Sequence, residues 1–157
     1  MQTIGFVKEG KVRRLKRVVI REELVALTGN FVQAILLGQL LDLTSRTEDF
    51  ERFLEEENQT DEEKTKHPKR YGWICKSAQG LKEETMLPLS TQTIRNHLKE
   101  LVKKGWLEER RNPEDKWDKS LQYRVNLIKI LNDLRNQGYP LSVWEDSSLR
   151  IPISRRK

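Results

Sequence analysis

The chain holds a single cysteine, Cys75, among its 157 residues. One thiol excludes an intramolecular disulfide and any zinc site built from several cysteines, and it agrees with a reducing, cytoplasmic location. We expect Cys75 to be a small buried apolar side chain. The two histidines, His67 and His97, have no second histidine or cysteine at metal-ligand spacing. The sequence therefore predicts no metal site.

Glycine clusters and long apolar runs are also missing. The eight glycines are scattered, which excludes a glycine-rich phosphate-binding loop. We therefore expect neither catalytic activity nor a cofactor. The longest apolar stretch, around residues 31–41, is interrupted by Gln33, Gly38 and Gln39. Neither a membrane-spanning helix nor a secretion signal is predicted, so no membrane partner is expected.

The charge that is present is unevenly distributed. The net charge is +6, but residues 48–63 contain nine acidic side chains and one basic side chain. Residues 64–157 contain 21 basic and 11 acidic side chains. The basic second half indicates a polyanionic partner such as nucleic acid. An apolar content of 36% is enough for one modest core.

A polar helix at about 90–104 is the clearest element of the basic half. Ser90 stands at an N-cap position, and Gly105 ends the helical pattern. Apolar residues recur between them at Ile94, Leu98, Leu101 and Val102. The intervening face carries Gln92, Arg95, Asn96, Lys99 and Lys103. Arginine can bridge guanine, asparagine or glutamine can bridge adenine, and lysine suits phosphate. Taken alone, the pattern fits a merely solvated face equally well.

A hairpin is predicted directly after this helix. Residues 106–111 fit a short strand, residues 112–115 supply a turn, and residues 121–127 alternate between apolar and polar. The alternation predicts that Gln122, Arg124 and Asn126 face solvent. The loop at residues 112–120 would form a basic wing, which spans about 110–120 when its flanking residues are included. The cations at its tip are Arg110, Arg111, Lys116 and Lys119. Trp117 either packs back on the domain, which we expect, or lies on a sugar.

Another helix is expected before residue 90, because apolar anchors lie in front of the polar helix and Pro88 supplies a break. The anchors are Leu81, Met86, Leu87 and Leu89. Glu83 and Glu84 should lie near the N-terminus of this helix, where its dipole favours carboxylates. Residues 73–75 should add a third strand to the hairpin. Helix, turn, helix and two-stranded ribbon form the order of a winged helix-turn-helix.

Two further regions are predicted before the acidic segment. Residues 1–20 should be a basic arm leading into a short strand at residues 18–20; they would contact the nucleic-acid backbone or form a charged edge strand. One buried helix is expected from Glu22 to about Leu43, packed in the core or against a second chain.

The acidic residues 48–63 are the main part of a predicted insertion at 46–70. One helical turn should press Phe50, Phe53 and Leu54 on the domain, whereas Asn58 to Lys66 should be a mobile loop. A closing helix should follow Leu127. The winged-helix domain would thus span 21–138, with an extended tail at 139–157.

Short motifs in this chain are similar to those of a known family. They are Gly72-Trp73-Ile74, Glu84-Thr85-Met86, Gly105-Trp106-Leu107, Arg111-Asn112-Pro113 and Gln122-Tyr123-Arg124-Val125-Asn126. Over roughly residues 18–135 the chain resembles the winged-helix domains of phage, plasmid and DnaD-like replication initiation proteins of Gram-positive bacteria. The resemblance implies an α+β, mainly helical fold with a small antiparallel sheet and added terminal helices.

The resemblance also implies a DNA-binding surface and partners. The residues that match the recognition helix are Thr91, Gln92, Arg95, Asn96 and Lys99. The residues that match the wing are Arg110, Arg111, Lys116 and Lys119. Double-stranded DNA, a second copy of the chain and other replication proteins are the implied partners. We expect a DNA-binding protein of replication initiation. The alternatives are a transcriptional regulator with the same fold, or an interaction module of a primosome-like assembly whose acidic segment covers the recognition helix.

Overall fold

A computed structural model describes residues 14–140. Its elements, in chain order, are α1 (Glu22–Thr28), α2 (Phe31–Ser45), α3 (Phe50–Glu57), α4 (Asp61–Lys66), β1 (Ile74–Cys75), α5 (Ala78–Thr85), α6 (Thr91–Lys103), β2 (Leu107–Arg111), β3 (Leu121–Val125) and α7 (Leu127–Asn136). About half of the described residues are helical, and the strands form one antiparallel sheet, so the predicted α+β class is confirmed. Most of the basic arm and the tail beyond residue 140 lie outside the described residues.

The sheet has the strand order β1-β3-β2. Leu107 pairs with Val125 and Arg111 with Leu121, while Ile74 of β1 pairs with Tyr123 on the other side of β3. The predicted third strand is thus confirmed. The strand expected to run to residue 127 ends at Val125, because the next residues begin α7.

Helix α2 lies at the centre of the core. Its residues Leu36, Leu37 and Leu40 are fully buried, and it packs against α1, α5, α6 and the sheet. The expectation of one continuous helix from residue 22 was wrong. Gly29 has a φ of 68° and ends α1 in the left-handed region, which glycine adopts without a steric penalty. The Asn30 side chain then accepts a 3.0 Å hydrogen bond from Gln33 N and begins α2.

Helix α5 begins and ends earlier than predicted. Ser77 Oγ caps its first turn by accepting a 3.0 Å hydrogen bond from Gly80 N. The helix ends at Thr85, since Met86 adopts a left-handed φ of 57°. Met86 is therefore exposed and is not the predicted apolar anchor. Glu83 and Glu84 lie in the last turn of the helix, and their predicted place near its N-terminus was wrong.

The acidic segment is folded as two helices. In α3, Phe53 and Leu54 are buried, which confirms that this part presses on the domain. The predicted mobile loop is partly wrong, because residues 61–66 form α4. The Thr60 side chain and the Glu63 side chain cap each other's backbone N–H groups at its start.

Three further expectations were wrong, one for a short segment and two for single residues. Residues 18–20 form no regular strand, because Val18 packs against the core while Val19 and Ile20 are exposed. Cys75 is exposed, since it lies on the sheet face opposite to its buried neighbour Ile74. Trp117 is exposed at the hairpin tip. None of the helices between residues 14 and 140 combines the length and the apolar composition that a membrane span requires.

Candidate nucleic-acid interface

Helix α6 has one buried face and one open face. Ser90 Oγ accepts a 3.1 Å hydrogen bond from Thr93 N and caps the helix, as predicted. Ile94, Leu98 and Leu101 are fully buried against the core. The other side of the helix presents the predicted contact residues Gln92, Arg95, Asn96, Lys99 and Lys103, all of them exposed, with Thr91 partly exposed beside them. The residues of this set lie together on one solvent-facing surface, called the α6 face below.

Two amide side chains on the α6 face are hydrogen-bonded to each other. Gln92 Nε2 donates to Asn96 Oδ1 over 3.0 Å, one helical turn away. The pair leaves Asn96 Nδ2 as a donor and Gln92 Oε1 as an acceptor. An adenine edge in the major groove offers the complementary acceptor N7 and donor N6. The amide pair thus keeps one free donor and one free acceptor, the two kinds of group that an adenine edge complements.

Arg95 lies where the α6 face meets the sheet. Burial raises the pKa of the Tyr123 hydroxyl, the nearby Glu109 carboxylate raises it further, and the positive charge of Arg95 opposes both. The positive charge of Arg95 thus acts on the sheet face to which Tyr123 and Glu109 belong, the face that packs against α6. Glu109 is an acidic side chain at this edge of the surface, and Glu100, next to Lys99, is an exposed acidic side chain on α6 itself.

His97 and Lys104 face the body of the domain. His97 Nδ1 is 3.2 Å from Gln33 Nε2 of α2, so this histidine is partly packed. Lys104 Nζ lies 3.4 Å from Gln33 Oε1 and 5.5 Å from the centre of the Trp106 ring. Both side chains hold α6 to its neighbours and do not belong to the α6 face.

The hairpin loop is held by hydrogen bonds among its own side chains. Asn112 Nδ2 donates to Asp118 Oδ2 over 3.2 Å, and Asn112 Oδ1 accepts from Glu114 N over 3.0 Å. Asp118 Oδ1 also accepts from Ser120 N, and the hydrogen bonds from Ser120 and then from Asn112 lower the pKa of Asp118. The predicted contact residues Arg111, Lys116 and Lys119 are exposed around this loop. The loop thus has a defined shape with cations on its outside.

Arg110 is directed away from the other predicted cations. Its guanidinium carbon lies 4.1 Å from the centre of the Trp73 ring, and its Nε donates to Gln122 Oε1 over 2.7 Å. Burial lowers its pKa. Because side chains alternate along a strand, Arg111 lies on the opposite face of β2, the face that carries Leu107 and packs against α6. The structure therefore groups Arg111 with the α6 side and separates Arg110 from it.

The acidic segment packs on the face of the sheet that Arg110 occupies. The Glu56 carboxylate accepts 2.9 Å hydrogen bonds from Arg70 N and Tyr71 N. Glu57 pairs with Arg124 of β3, whose side chain is fully buried. Within residues 14–140, no carboxylate of residues 48–63 forms a hydrogen bond or ion pair with α6. The α6 face is therefore not covered by the acidic segment.

Arg124 was the main residue that sequence reasoning misplaced. Its alternation with apolar neighbours predicted a solvent-facing side chain, but α3 covers that face of the sheet. The excess of negative charge in residues 48–63 was the available signal that a buried cation would be needed elsewhere. A charge of one sign in a folded segment requires a partner of the other sign when it is buried.

Across residues 14–140, no group of three or more His, Cys, Asp or Glu side chains is placed to hold a metal ion.

The chain was also compared with protein-family models, with curated proteins and with solved structures. None of the three comparisons gave a match.

Proposed function

We propose that this chain is a double-stranded DNA-binding protein with a winged helix-turn-helix fold. The observation that carries the proposal is the open α6 face, with the acidic segment packed elsewhere. Helix α2, strand β1, the pair α5 and α6, and the hairpin of β2 and β3 follow one another in the order expected for that fold. A major groove is wide enough to admit an α-helix.

The two parts of the proposed surface have different tasks. Arg95, Asn96 and Gln92 carry the donors and acceptors that suit base edges in the major groove. Lys99, Lys103, Arg111, Lys116 and Lys119 carry the charges that suit phosphates on either side of the groove. Arg110 supports the hairpin from behind through Trp73 and Gln122, and we leave it out of the contact set.

A salt titration of duplex binding tests this proposal. If about 5 phosphates are contacted, a plot of log affinity against log salt concentration has a slope of about −4.5. Absence of binding at low salt, or binding that is indifferent to salt, would remove the proposal. If the protein binds with the expected slope, selection of bound fragments from a random duplex pool would identify the target sequence.

Replication initiation in a phage, a plasmid or a bacterial chromosome is the process we propose, on the strength of the family resemblance. Transcriptional regulation uses the same fold and is the alternative process. The interaction-module alternative requires the α6 face to be neutralised, and the position of Glu56 and Glu57 favours DNA binding over it. We also propose a homodimer in the cytoplasm, because one such domain reads few base pairs and two-fold pairing extends the site.

A further inference from the structure

Trp117 is the most exposed of the large apolar side chains in the described part of the chain, at 91%. A tryptophan can bury some 150–250 Å² of surface, so leaving it in water forgoes a large stabilisation. The ring does not pack on the sheet or on α6. Its position at the very end of the hairpin suggests a partner outside the chain.

The loop holds Trp117 in this outward position. Trp117 N donates to Asp115 Oδ1 over 2.9 Å, and Asp118 N donates to Asp115 O over 3.2 Å. The side-chain hydrogen bond between Asn112 and Asp118 closes the base of the same loop. Asp115 and Asp118 thus use carboxylate oxygens on groups inside the loop. The ring is therefore presented on a braced turn.

Exposed cations lie close to Trp117 in the sequence, together with the exposed acidic residues Glu114 and Asp115. Lys116 precedes it, Lys119 follows it two residues later, and Arg111 lies at the start of the loop. All three are exposed, and in the region from 14 to 140 none of them forms a salt bridge. An exposed aromatic ring with cations on both sides of it in the sequence suits a nucleotide, which carries a flat base and charged phosphates.

Base pairing decides which nucleotide can be bound in this way. In a regular duplex both faces of each base are covered by its stacked neighbours. An unpaired base has a face that a tryptophan ring can cover, and such stacking is tolerant of sequence because every base has a π face. We propose that Trp117 is a stacking site for an unpaired base, so that the hairpin binds DNA at a melted or forked position. The inference rests on the proposed function, since it uses the same hairpin.

Binding to paired and locally unpaired DNA tests the inference. Wild type, Trp117→Phe and Trp117→Ala are titrated by fluorescence anisotropy with a fully paired duplex and with the same duplex carrying a central unpaired bubble. Wild type should bind the bubble more tightly than the duplex. Trp117→Ala should lose about fivefold or more on the bubble with little change on the duplex, and Trp117→Phe should keep most of the preference.

The two binding arms separate this inference from the proposed function. Equal loss on both substrates, no loss on the bubble, or no bubble preference in wild type would overturn the stacking site while leaving duplex binding intact. Failure of wild type to bind the paired duplex would overturn the proposed function, and the bubble arm would still report on Trp117.

Tryptophan fluorescence gives a second readout, which reports contact with the Trp117 ring directly and not through a difference in affinity. The chain contains four tryptophans, so the emission of wild type minus that of Trp117→Phe isolates residue 117. Adding a short single-stranded thymidine oligonucleotide should quench this difference signal, because a stacked base quenches an indole ring in contact with it. Equal quenching in the two proteins would exclude stacking at Trp117.

Discussion

Arg124 Nη1 lies 3.2 Å from Glu57 Oε2, and neither side chain is more than 4% exposed. The other oxygen of the same carboxylate accepts a 2.6 Å hydrogen bond from Leu127 N, at the first residue of α7. Arg124 Nε also donates to Tyr71 O over 2.8 Å. A single carboxylate from the acidic segment therefore joins β3 to the start of α7, where the helix dipole favours negative charge.

Removing this carboxylate should destabilise the fold strongly. In Glu57→Ala the buried guanidinium keeps only the longer ion pair of its Nη2 with Glu56 Oε1 at 3.6 Å, and Leu127 N loses its acceptor. We expect a loss of about 3 kcal/mol in the free energy of unfolding, measured by urea denaturation. Glu57→Gln keeps an acceptor for Leu127 N and should lose less. A Glu57→Ala protein as stable as wild type would show that the pair contributes nothing to the fold.

Gly72→Ala should be costly for two reasons that can be separated. Gly72 has a φ of 82°, and a Cβ atom there would overlap the Phe53 ring. Gly29→Ala is the matched control, because Gly29 has a φ of 68° with nothing within 4 Å of the added carbon. The control should lose only the backbone penalty of about 1 to 2 kcal/mol, and Gly72→Ala should lose more. Equal thermal stability of the two variants would contradict the overlap.

The neighbouring residues Arg110 and Arg111 should respond differently to replacement by alanine. Arg111→Ala should make the salt slope of duplex binding shallower by about 0.9, the value for one phosphate contact. Arg110→Ala should leave the slope unchanged and lower the stability, because it removes the contact with Trp73, worth about 0.5 to 2 kcal/mol. A shallower slope for Arg110→Ala would show that Arg110 also contacts a phosphate.

The stability should depend on the ionisation of Asp133. Burial tends to raise the pKa of Asp133, but hydrogen bonds from Trp106 Nε1 at 2.8 Å and Lys129 Nζ at 2.9 Å lower it overall. A carboxyl with a lowered pKa in the folded protein adds stability above its ordinary pKa, and this stability is lost as the pH falls through the lowered value. We expect Asp133→Asn to flatten the decline of stability from about pH 5 downward. An unchanged pH profile would contradict this role.

The elements that the sequence predicted well are those with local signals. The cap at Ser90 and the buried positions Ile94, Leu98 and Leu101 belong to one helix. The start and end of α6 could therefore be predicted without knowing which elements pack against it. The capping pair Thr60 and Glu63 was an equally local signal for α4, but the polar composition of that segment favoured a loop.

The misplaced residues depend on contacts between distant parts of the chain. Arg124 is buried only because α3, some 70 positions earlier, covers its face of the sheet. The opposite directions of Arg110 and Arg111 follow from strand alternation and were predictable. The exposure of Trp117 was not, since an aromatic residue in a loop packs or protrudes according to what lies beside it in the fold.

Charge reversal on the α6 face tests the central claim most directly. Lys99→Glu is compared with Arg135→Glu, an exposed residue in the last turn of α7 that changes the net charge by the same amount. Duplex affinity is measured by fluorescence anisotropy at one fixed salt concentration. We expect Lys99→Glu to weaken binding by about tenfold or more and Arg135→Glu to have a much smaller effect. Equal effects of the two variants would contradict a DNA-binding surface on α6.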